Sequence, residues 1–363
     1  MRIASFEVIP VGLPFARTYA TATGRLERRE MLILRLDSGE GAAGWGDAVP
    51  MSLRGGAGIA EVAAGLERAC EALAGAELDP DPRRAAAAAL ERAVEAGARG
   101  PALSAIDVAL LDLLGRRDGV PAWRLLGAAG PSAVVCNATI GADAPAEAAA
   151  AAAAAAGSGF ETVKVKAGDE SDVERVLAVR AACGPESRLR VDANGAWTVA
   201  RARERLEAMA PAGLELAEQP CATVAELAEL RASTPVPIVG DESVNDRAEA
   251  AAAIAAGAID AATLKLAKVG GPRAALEIAE AVPAYLSSAL DSAIGIAAAA
   301  HTAAALRGDG FAAGLAHGLA TSPLFADNVA DDGPFTGPEI ELGPAPGLGV
   351  EVDRDALERL RLT

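Results

Sequence analysis

The length, composition and charge of the chain limit its fold and its partners. A chain of 363 residues suits two domains, or one large barrel with an additional layer. Its 50 acidic residues outnumber its 33 basic ones, and aromatic residues make up only 3%, so nucleic-acid and anionic-membrane partners are disfavoured. The four cysteines are scattered, and the N-terminus reads as a strand rather than a signal peptide, so we expect a reduced, cytoplasmic protein.

The first 125 residues predict an α+β layer by hydrophobic period and turn residues. Strand patterns occupy residues 2–13, 30–36 and 42–48, and helical patterns occupy residues 59–74, 83–96 and 102–117. A polar segment at residues 15–28, which contains Gly24, predicts a mobile lid. Residues 51–58 predict a second flexible loop. We therefore expect a capping domain with loops available for a site next to it.

From residue 126 to about residue 335 the pattern changes to short strands that alternate with helices. The strands are predicted at residues 133–140, 162–166, 188–192, 214–217, 236–239, 261–265, 284–287 and, weakly, 311–316. Seven or eight such units after a separate layer favour a modified TIM barrel. A doubly wound sheet is the alternative, but no Gly-x-Gly-x-x-Gly follows the first of these strands. The tail, residues 336–363, is expected to return to the capping domain with two short strands and a helix.

Five strands of this barrel end in a charged residue: Lys166, Asp192, Glu218, Asp241 and Lys265. They lie about one βα unit apart, so each falls on the next strand of the barrel. Strand ends meet at one mouth, where barrel active sites form. The three carboxylates should therefore be neighbours, with one lysine on either side.

Three adjacent carboxylates repel one another unless a cation neutralises them. The chain has only two histidines, and an all-oxygen ligand set selects a hard ion, most readily Mg²⁺ or else Mn²⁺. Lys164 and Lys166 are two apart on a strand and should both face the barrel interior. Two such cations should lower one another's pKa, which suits Lys166 as a general base. Together, the lysines, the carboxylates and the divalent ion predict a reaction on a small-molecule carboxylate. A lysine removes the proton next to the carboxylate, and the divalent ion stabilises the resulting enediolate.

The motifs around these residues resemble those of the enolase superfamily, and its muconate-lactonizing subgroup in particular. They are Lys164-Val165-Lys166, the segment 191–197, Glu218-Gln219-Pro220, Asp241-Glu242-Ser243, and Lys265 shortly before Val269-Gly270-Gly271. The resemblance implies a (β/α)7β barrel under an α+β capping domain. It also implies Mg²⁺ on the three carboxylates, Lys166 as base and Lys265 as the opposing lysine. Lys164 and Asn194 would lie at the substrate, and backbone groups around Ser287 and Ser288 would contact it.

Within the subgroup, residues 136–139, 218–228 and 286–295 are similar to the o-succinylbenzoate synthases of actinobacterial type. Those enzymes dehydrate a cyclohexadiene carboxylate in menaquinone biosynthesis, so this likeness implies a lyase. The segments 15–28 and 337–352 instead look like those of N-acylamino acid racemases or dipeptide epimerases.

Several alternatives therefore stay open beside the lyase. Dipeptide epimerases carry an Asp-x-Asp near the chain's end to hold an ammonium, whereas this chain reads Ala330-Asp331-Asp332, which argues against a free amino group on the substrate. A muconate cycloisomerase remains an alternative, as does a non-catalytic barrel that binds an anion at helix N-termini. The sequence leaves open whether the protein forms a homo-oligomer.

Overall fold

The fold begins with an antiparallel sheet covered by helices. The computed structural model describes residues 1–21, 24–52, 55–307, 310–312, 314–331 and 333–362. The sheet has the order β1-β2-β3, with β1 at Ser5–Thr21, β2 at Gly24–Asp37 and β3 at Ala43–Ala48. The helices that follow are α1 Ile59–Leu73, α2 Pro82–Glu95, α3 Gly100–Asp118 and α4 Ala122–Leu125. Strand β3 runs so close to α3 that a Cβ on Gly46 would lie 2.1 Å from the Ala105 carbonyl oxygen.

The predicted lid, residues 15–28, consists largely of paired strand rather than loop. Strands β1 and β2 continue through it, with a register shift after Pro14 and renewed pairing from Tyr19 with Leu26. The Phe15 ring stacks on those of Tyr19 and Phe325 at centroid distances of 5.0 and 5.1 Å. A two-stranded ribbon packs little of its surface against a hydrophobic core, so its residues can be polar. The polar composition therefore did not indicate a strand. Residues 22–23 of this segment, and residues 53–54 of the second predicted loop, lie outside the described residues.

The second part of the chain forms the predicted parallel barrel sheet. Its order is β11-β10-β9-β8-β7-β6-β5. The strands are β5 Ala138–Ile140, β6 Thr162–Lys166, β7 Arg188–Asp192, β8 Leu214–Glu218, β9 Ile238–Gly240, β10 Ala261–Leu264 and β11 Ala284–Leu286, while β4, Ala133–Val135, precedes them outside this sheet. The helices are α5 Pro145–Gly157, α6 Asp172–Cys183, α7 Val199–Ala208, α8 Val224–Arg231, α9 Arg247–Ala255, α10 Leu266–Val269, α11 Pro272–Ala279 and α12 Ala293–Ala305. The expected α/β barrel architecture is thereby confirmed.

The predicted eighth strand at residues 311–316 is wrong, because the edges of the barrel sheet are joined by the residues that follow it. His317 O accepts from Asn137 N, which directly precedes β5, at 2.8 Å, and Gly318 N donates to Leu286 O of β11 at 2.8 Å. Only isolated parallel bridges form there. The Ala- and Gly-rich sequence has low strand propensity, which explains why the closing element is so short. Residue 313 lies outside the described residues.

The tail contacts both parts of the molecule. Strand β12, Glu339–Glu341, pairs antiparallel with β4, so the single strand expected at residues 133–140 is divided between two sheets. Helix α13, Arg354–Leu360, ends beside β1, where Leu362 N donates to Pro10 O at 2.9 Å. The second predicted tail strand is only a bridge between Ala330 and Val352. Among the described residues, no helix is long and apolar enough to cross a membrane.

Candidate active site

The five charged residues predicted at strand ends lie along one rim of the barrel. Lys166, Asp192 and Glu218 end β6, β7 and β8 and are direct neighbours in register. Asp241 and Lys265 follow the last residues of β9 and β10. The carboxylates are at most 1% exposed, whereas the Lys166 side chain keeps 21% of its surface accessible. The parallel register thus produces a buried row of three acids between two lysines.

Two lysines pair with the first two acids of this row. Lys166 Nζ donates to Asp192 Oδ2 at 2.6 Å and to Asn194 Oδ1 at 3.0 Å. Lys164 Nζ lies 2.6 Å from Glu218 Oε2 and 2.9 Å from Asp192 Oδ2. Both lysines of β6 therefore face the barrel interior, and Asn194 orients the outer one.

The expectation that the two lysines lower one another's pKa is wrong for Lys164. Burial by itself lowers the pKa of this ammonium, but the charges of Asp192 and Glu218 outweigh burial and raise its pKa well above the ordinary value. Lys164 therefore stays protonated and acts as a fixed positive charge below the rim.

The other end of the row is organised around Asp241. Lys265 Nζ donates to Asp241 Oδ2, and Lys268 Nζ lies 3.0 Å from Asp241 Oδ1. The Asp241 backbone is held from the preceding loop, because its N–H donates to Gln219 Oε1 at 2.8 Å. Lys268, which the sequence alone does not assign to the site, is thus part of the ion-pair network.

Two observations bear on whether the three acids could hold a divalent ion. In the described part of the chain, no three acidic, His or Cys side chains converge closely enough to enclose an ion by themselves, and each rim carboxylate instead faces a lysine. One oxygen, Glu218 Oε1, is buried without a hydrogen-bond partner among the described residues. Such an oxygen normally has a partner, and Mg²⁺ prefers carboxylate oxygens. The donor set fits a hard divalent cation, which would replace lysines as the partner of these carboxylates.

The two serines assigned to the substrate lie in the loop after β11. The Ser287 and Ser288 amides donate to Leu264 O at 2.8 Å and Gly318 O at 2.9 Å, so these amides are not available to a substrate. The Ser288 hydroxyl accepts from Leu290 N at 2.8 Å, which stabilises a turn where Leu290 has a φ of 67°. The serines shape this loop, and contact between a substrate and other backbone groups around Ser287 and Ser288 stays a prediction.

The loop that follows Lys166 is anchored by a buried ion pair. Arg175 donates to the Lys166 carbonyl oxygen at 3.2 Å and to Asp172 Oδ1 at 3.1 Å. The Asp172 carboxylate also accepts from Gly168 N at 2.9 Å and from Trp197 Nε1 at 3.0 Å. Because Asp172 is fully buried, these bonds restrict the backbone that carries Lys166.

A buried acid pair joins the capping sheet to the loop after β11. Asp47 of β3 accepts from Ser292 N at 3.0 Å and from Ser292 Oγ at 2.7 Å. Burial and the charge of Asp291 raise the pKa of the Asp47 carboxyl to about 7, against the hydrogen bonds from Ser292 that lower it. Burial also raises the pKa of Asp291, while the charge of Arg29 lowers it. The contact between capping layer and barrel is therefore sensitive to protonation.

Tyr285, Arg190 and Asp47 are not among the residues that the sequence predicts for the site. Tyr285 OH donates to Glu218 Oε2 at 2.7 Å, and the Arg190 guanidinium lies 4.9 Å from the centre of the Tyr285 ring. The alternation of a strand could have indicated Tyr285, since it precedes Ser287 by two residues and faces the same side. Asp47 had no such signal, because its partner is distant in sequence. His317 Nδ1 accepts from Leu286 N at 3.0 Å and so supports the backbone at the end of β11.

Comparison with protein families matches nearly the whole chain. Residues 4–127 match the N-terminal domain of the mandelate racemase and muconate lactonizing enzymes. Residues 146–356 match the enolase C-terminal domain-like family.

Two relatives that are similar to this chain carry different activities. The o-succinylbenzoate synthase of Mycobacterium ulcerans is 44% identical over 213 residues, which cover 54% of this chain and 62% of that enzyme, so the match spans less than two thirds of the relative. The hydrophobic dipeptide epimerase of Enterococcus faecalis is 31% identical over 96% of this chain and 99% of its own.

A dipeptide epimerase crystal structure from Enterococcus faecalis, with Mg and L-Leu-L-Tyr, has a TM-score of 0.89 and 29% identity. The aligned region covers 97% of this chain and 100% of the epimerase chain. The family matches and the similar fold cover both domains, and the chain belongs to the enolase superfamily.

Proposed function

We propose that the protein is a Mg²⁺-dependent enzyme that removes the proton next to a substrate carboxylate, and that it acts as an o-succinylbenzoate synthase. The reaction is the loss of water from a cyclohexadiene carboxylate in menaquinone biosynthesis. The observation that carries the proposal is the rim itself, where Lys166 and Lys265 stand at opposite ends of a buried row of three carboxylates. A small carboxylate bound there would meet a proton acceptor on one side and a cation on the other.

The residues have distinct roles in this reaction. Asp192, Glu218 and Asp241 would hold Mg²⁺, which supplies the positive charge that stabilises an enediolate when it is bound. Lys166 Nζ, in its unprotonated form, takes the proton from the carbon next to the carboxylate. The same ammonium then returns that proton to the hydroxyl group that leaves from the same face, so that water is released and the ring becomes aromatic. Lys265 stays charged over the ring.

The choice of a lyase rests on the 44% identical synthase and on the likeness of residues 218–228 and 286–295 to that group. An epimerase is the second candidate, since the dipeptide epimerase relative covers nearly the whole chain. Ala330 weighs against it. This residue is 7% exposed, pairs with Val352 and has no carboxylate for an ammonium, while Asp332 lies outside the described residues.

A panel of acids assayed with Mg²⁺ tests the proposal. We expect the cyclohexadiene carboxylate to give the absorbance of an aromatic ring, and EDTA to stop the reaction. N-acyl amino acids and dipeptides in D₂O serve as the competing substrates, because a racemase or epimerase must bring deuterium into both stereoisomers. Deuterium exchange without any ring product would contradict the lyase and support the isomerase.

The variant Lys166→Ala tests the base. We expect turnover to fall by at least about 10²–10⁴-fold, the usual contribution of a general base, with the circular dichroism spectrum and Mn²⁺ binding retained. Arg203→Ala is the matched control, because it removes a positive charge from an exposed pair with Glu229 that contributes little to stability. Retained turnover in Lys166→Ala would remove the lysine from the mechanism.

A further inference from the structure

Tyr285 reaches the candidate metal ligand Glu218 from across the barrel. It lies on β11 and is 1% exposed, and its hydroxyl donates to Glu218 Oε2 at 2.7 Å. In the sheet order, β10 and β9 separate β11 from β8, which carries Glu218. The hydrogen bond therefore spans the barrel interior and is not a contact between adjacent strands.

The two oxygens of the Glu218 carboxylate have different surroundings. Oε2 accepts from Tyr285 and from Lys164, the latter at 2.6 Å, whereas Oε1 is buried without a partner among the described residues. Two donors from opposite sides fix the rotation of the carboxylate about its last bond. Oε1 is consequently the oxygen that stays available for an ion.

Lys164 alone would not provide this orientation. Its ammonium is shared with Asp192 at 2.9 Å, so its position is set by both carboxylates and not by Glu218 alone. Tyr285 supplies the contact on the other side, and as a neutral donor it leaves the negative charge of the carboxylate for the ion.

Tyr285 is itself held in place. The Arg190 guanidinium lies 4.9 Å from the centre of its ring, a distance that suits a cation–π contact. Arg190 is fully buried and donates to Glu215 Oε2 at 2.5 Å and to Ala316 O at 2.7 Å. A buried phenol needs a hydrogen-bond partner, and the ring cannot turn away from Glu218 without losing both contacts.

We infer that Tyr285 is a positioning residue that presents Glu218 Oε1 to a divalent cation. This inference rests on the proposed function only in that it requires the ion to bind. Groups that orient metal ligands typically change metal affinity by about 10- to 100-fold when they are removed. Tyr285 acts through Glu218 and need not touch the substrate.

Mn²⁺ titration of the metal-free full-length protein, followed by the electron paramagnetic resonance signal of the free ion, tests this inference. We expect Tyr285→Phe to raise the Kd for Mn²⁺ by about 10- to 100-fold and to keep its circular dichroism spectrum. Thr302→Val is the matched control, because it deletes another fully buried hydroxyl, one that donates to Ala298 O, and it should leave Kd within about twofold.

A double-mutant cycle separates positioning from a general structural effect. In a Glu218→Gln background, Tyr285→Phe should change the Kd little further, because the residue through which it acts is already altered. Equal effects in both backgrounds would overturn the inference. An unchanged Kd in Tyr285→Phe, with Asp241→Asn still weakening Mn²⁺, would overturn it and leave the proposed function standing. Absence of Mn²⁺ binding by the unaltered protein would overturn both.

Discussion

The acid pair between capping layer and barrel makes a contribution to stability that falls as the pH rises. The pKa of Asp47 is raised from 3.8 to about 7. Between these values the folded protein binds a proton at Asp47 that the unfolded chain has lost, so the contribution of Asp47 to stability decreases as the pH rises. The Asp47→Asn variant lacks this titration. Relative to the unaltered protein, it should therefore gain stability as the pH rises from about 4 to about 7.

The size of the effect follows from the pKa and the length of the chain. A rise from 3.8 to about 7 corresponds to roughly 4 kcal/mol. An unfolding entropy of about 2.1 cal/mol/K per residue gives roughly 0.8 kcal/mol/K for this length. The difference in Tm between Asp47→Asn and the unaltered protein should thus change by about 5 °C across this pH range.

Thermal unfolding followed by circular dichroism at several pH values measures this difference. Burial lowers the pKa of His301 and of His317 to about 4, so both histidines make stability rise with pH below the ordinary pKa of histidine. Both proteins contain these histidines, so their contributions cancel in the difference in Tm. Asp81→Asn is the control, because hydrogen bonds from Arg84 and Arg83 lower the pKa of this exposed carboxyl and its titration is complete at lower pH. Parallel Tm curves for Asp47→Asn and the unaltered protein would refute the reasoning.

Three further outcomes are expected. Mg²⁺ at about 100 times its Kd should stabilise the protein by about 2.7 kcal/mol, which raises Tm by roughly 3 °C; EDTA should reverse the rise, and a Tm indifferent to Mg²⁺ would contradict the metal site. Asp241→Asn should raise the Kd for Mn²⁺ by more than about 100-fold, because a ligand contributes more than the groups that orient it; calorimetric titration measures this. Asp172→Asn should cost about 1–3 kcal/mol, since it weakens the partner of the buried Arg175, and should lower kcat through the loop that carries Lys166; a drop in Tm without any change in kcat would confine Asp172 to a structural role.

The sequence by itself determined the barrel, the capping layer and the five charged rim residues. A parallel βα unit has a nearly constant length, so regular spacing along the chain becomes adjacency in the sheet. For this reason Lys166, Asp192 and Glu218 could be predicted as neighbours, and the register of β6, β7 and β8 places them so.

Only the tertiary structure decided the contacts that cross the barrel or join its two parts. The hydrogen bonds from Tyr285 to Glu218 and from Ser292 to Asp47 join residues that are far apart in the chain. The local hydrophobic periodicity of the sequence does not indicate such contacts. The strand pairing within residues 15–28 and the closure of the barrel at His317 and Gly318 likewise depend on partners supplied by the fold. Local propensity is weak where an element is short or exposed on both faces, and there the tertiary contacts determine the structure.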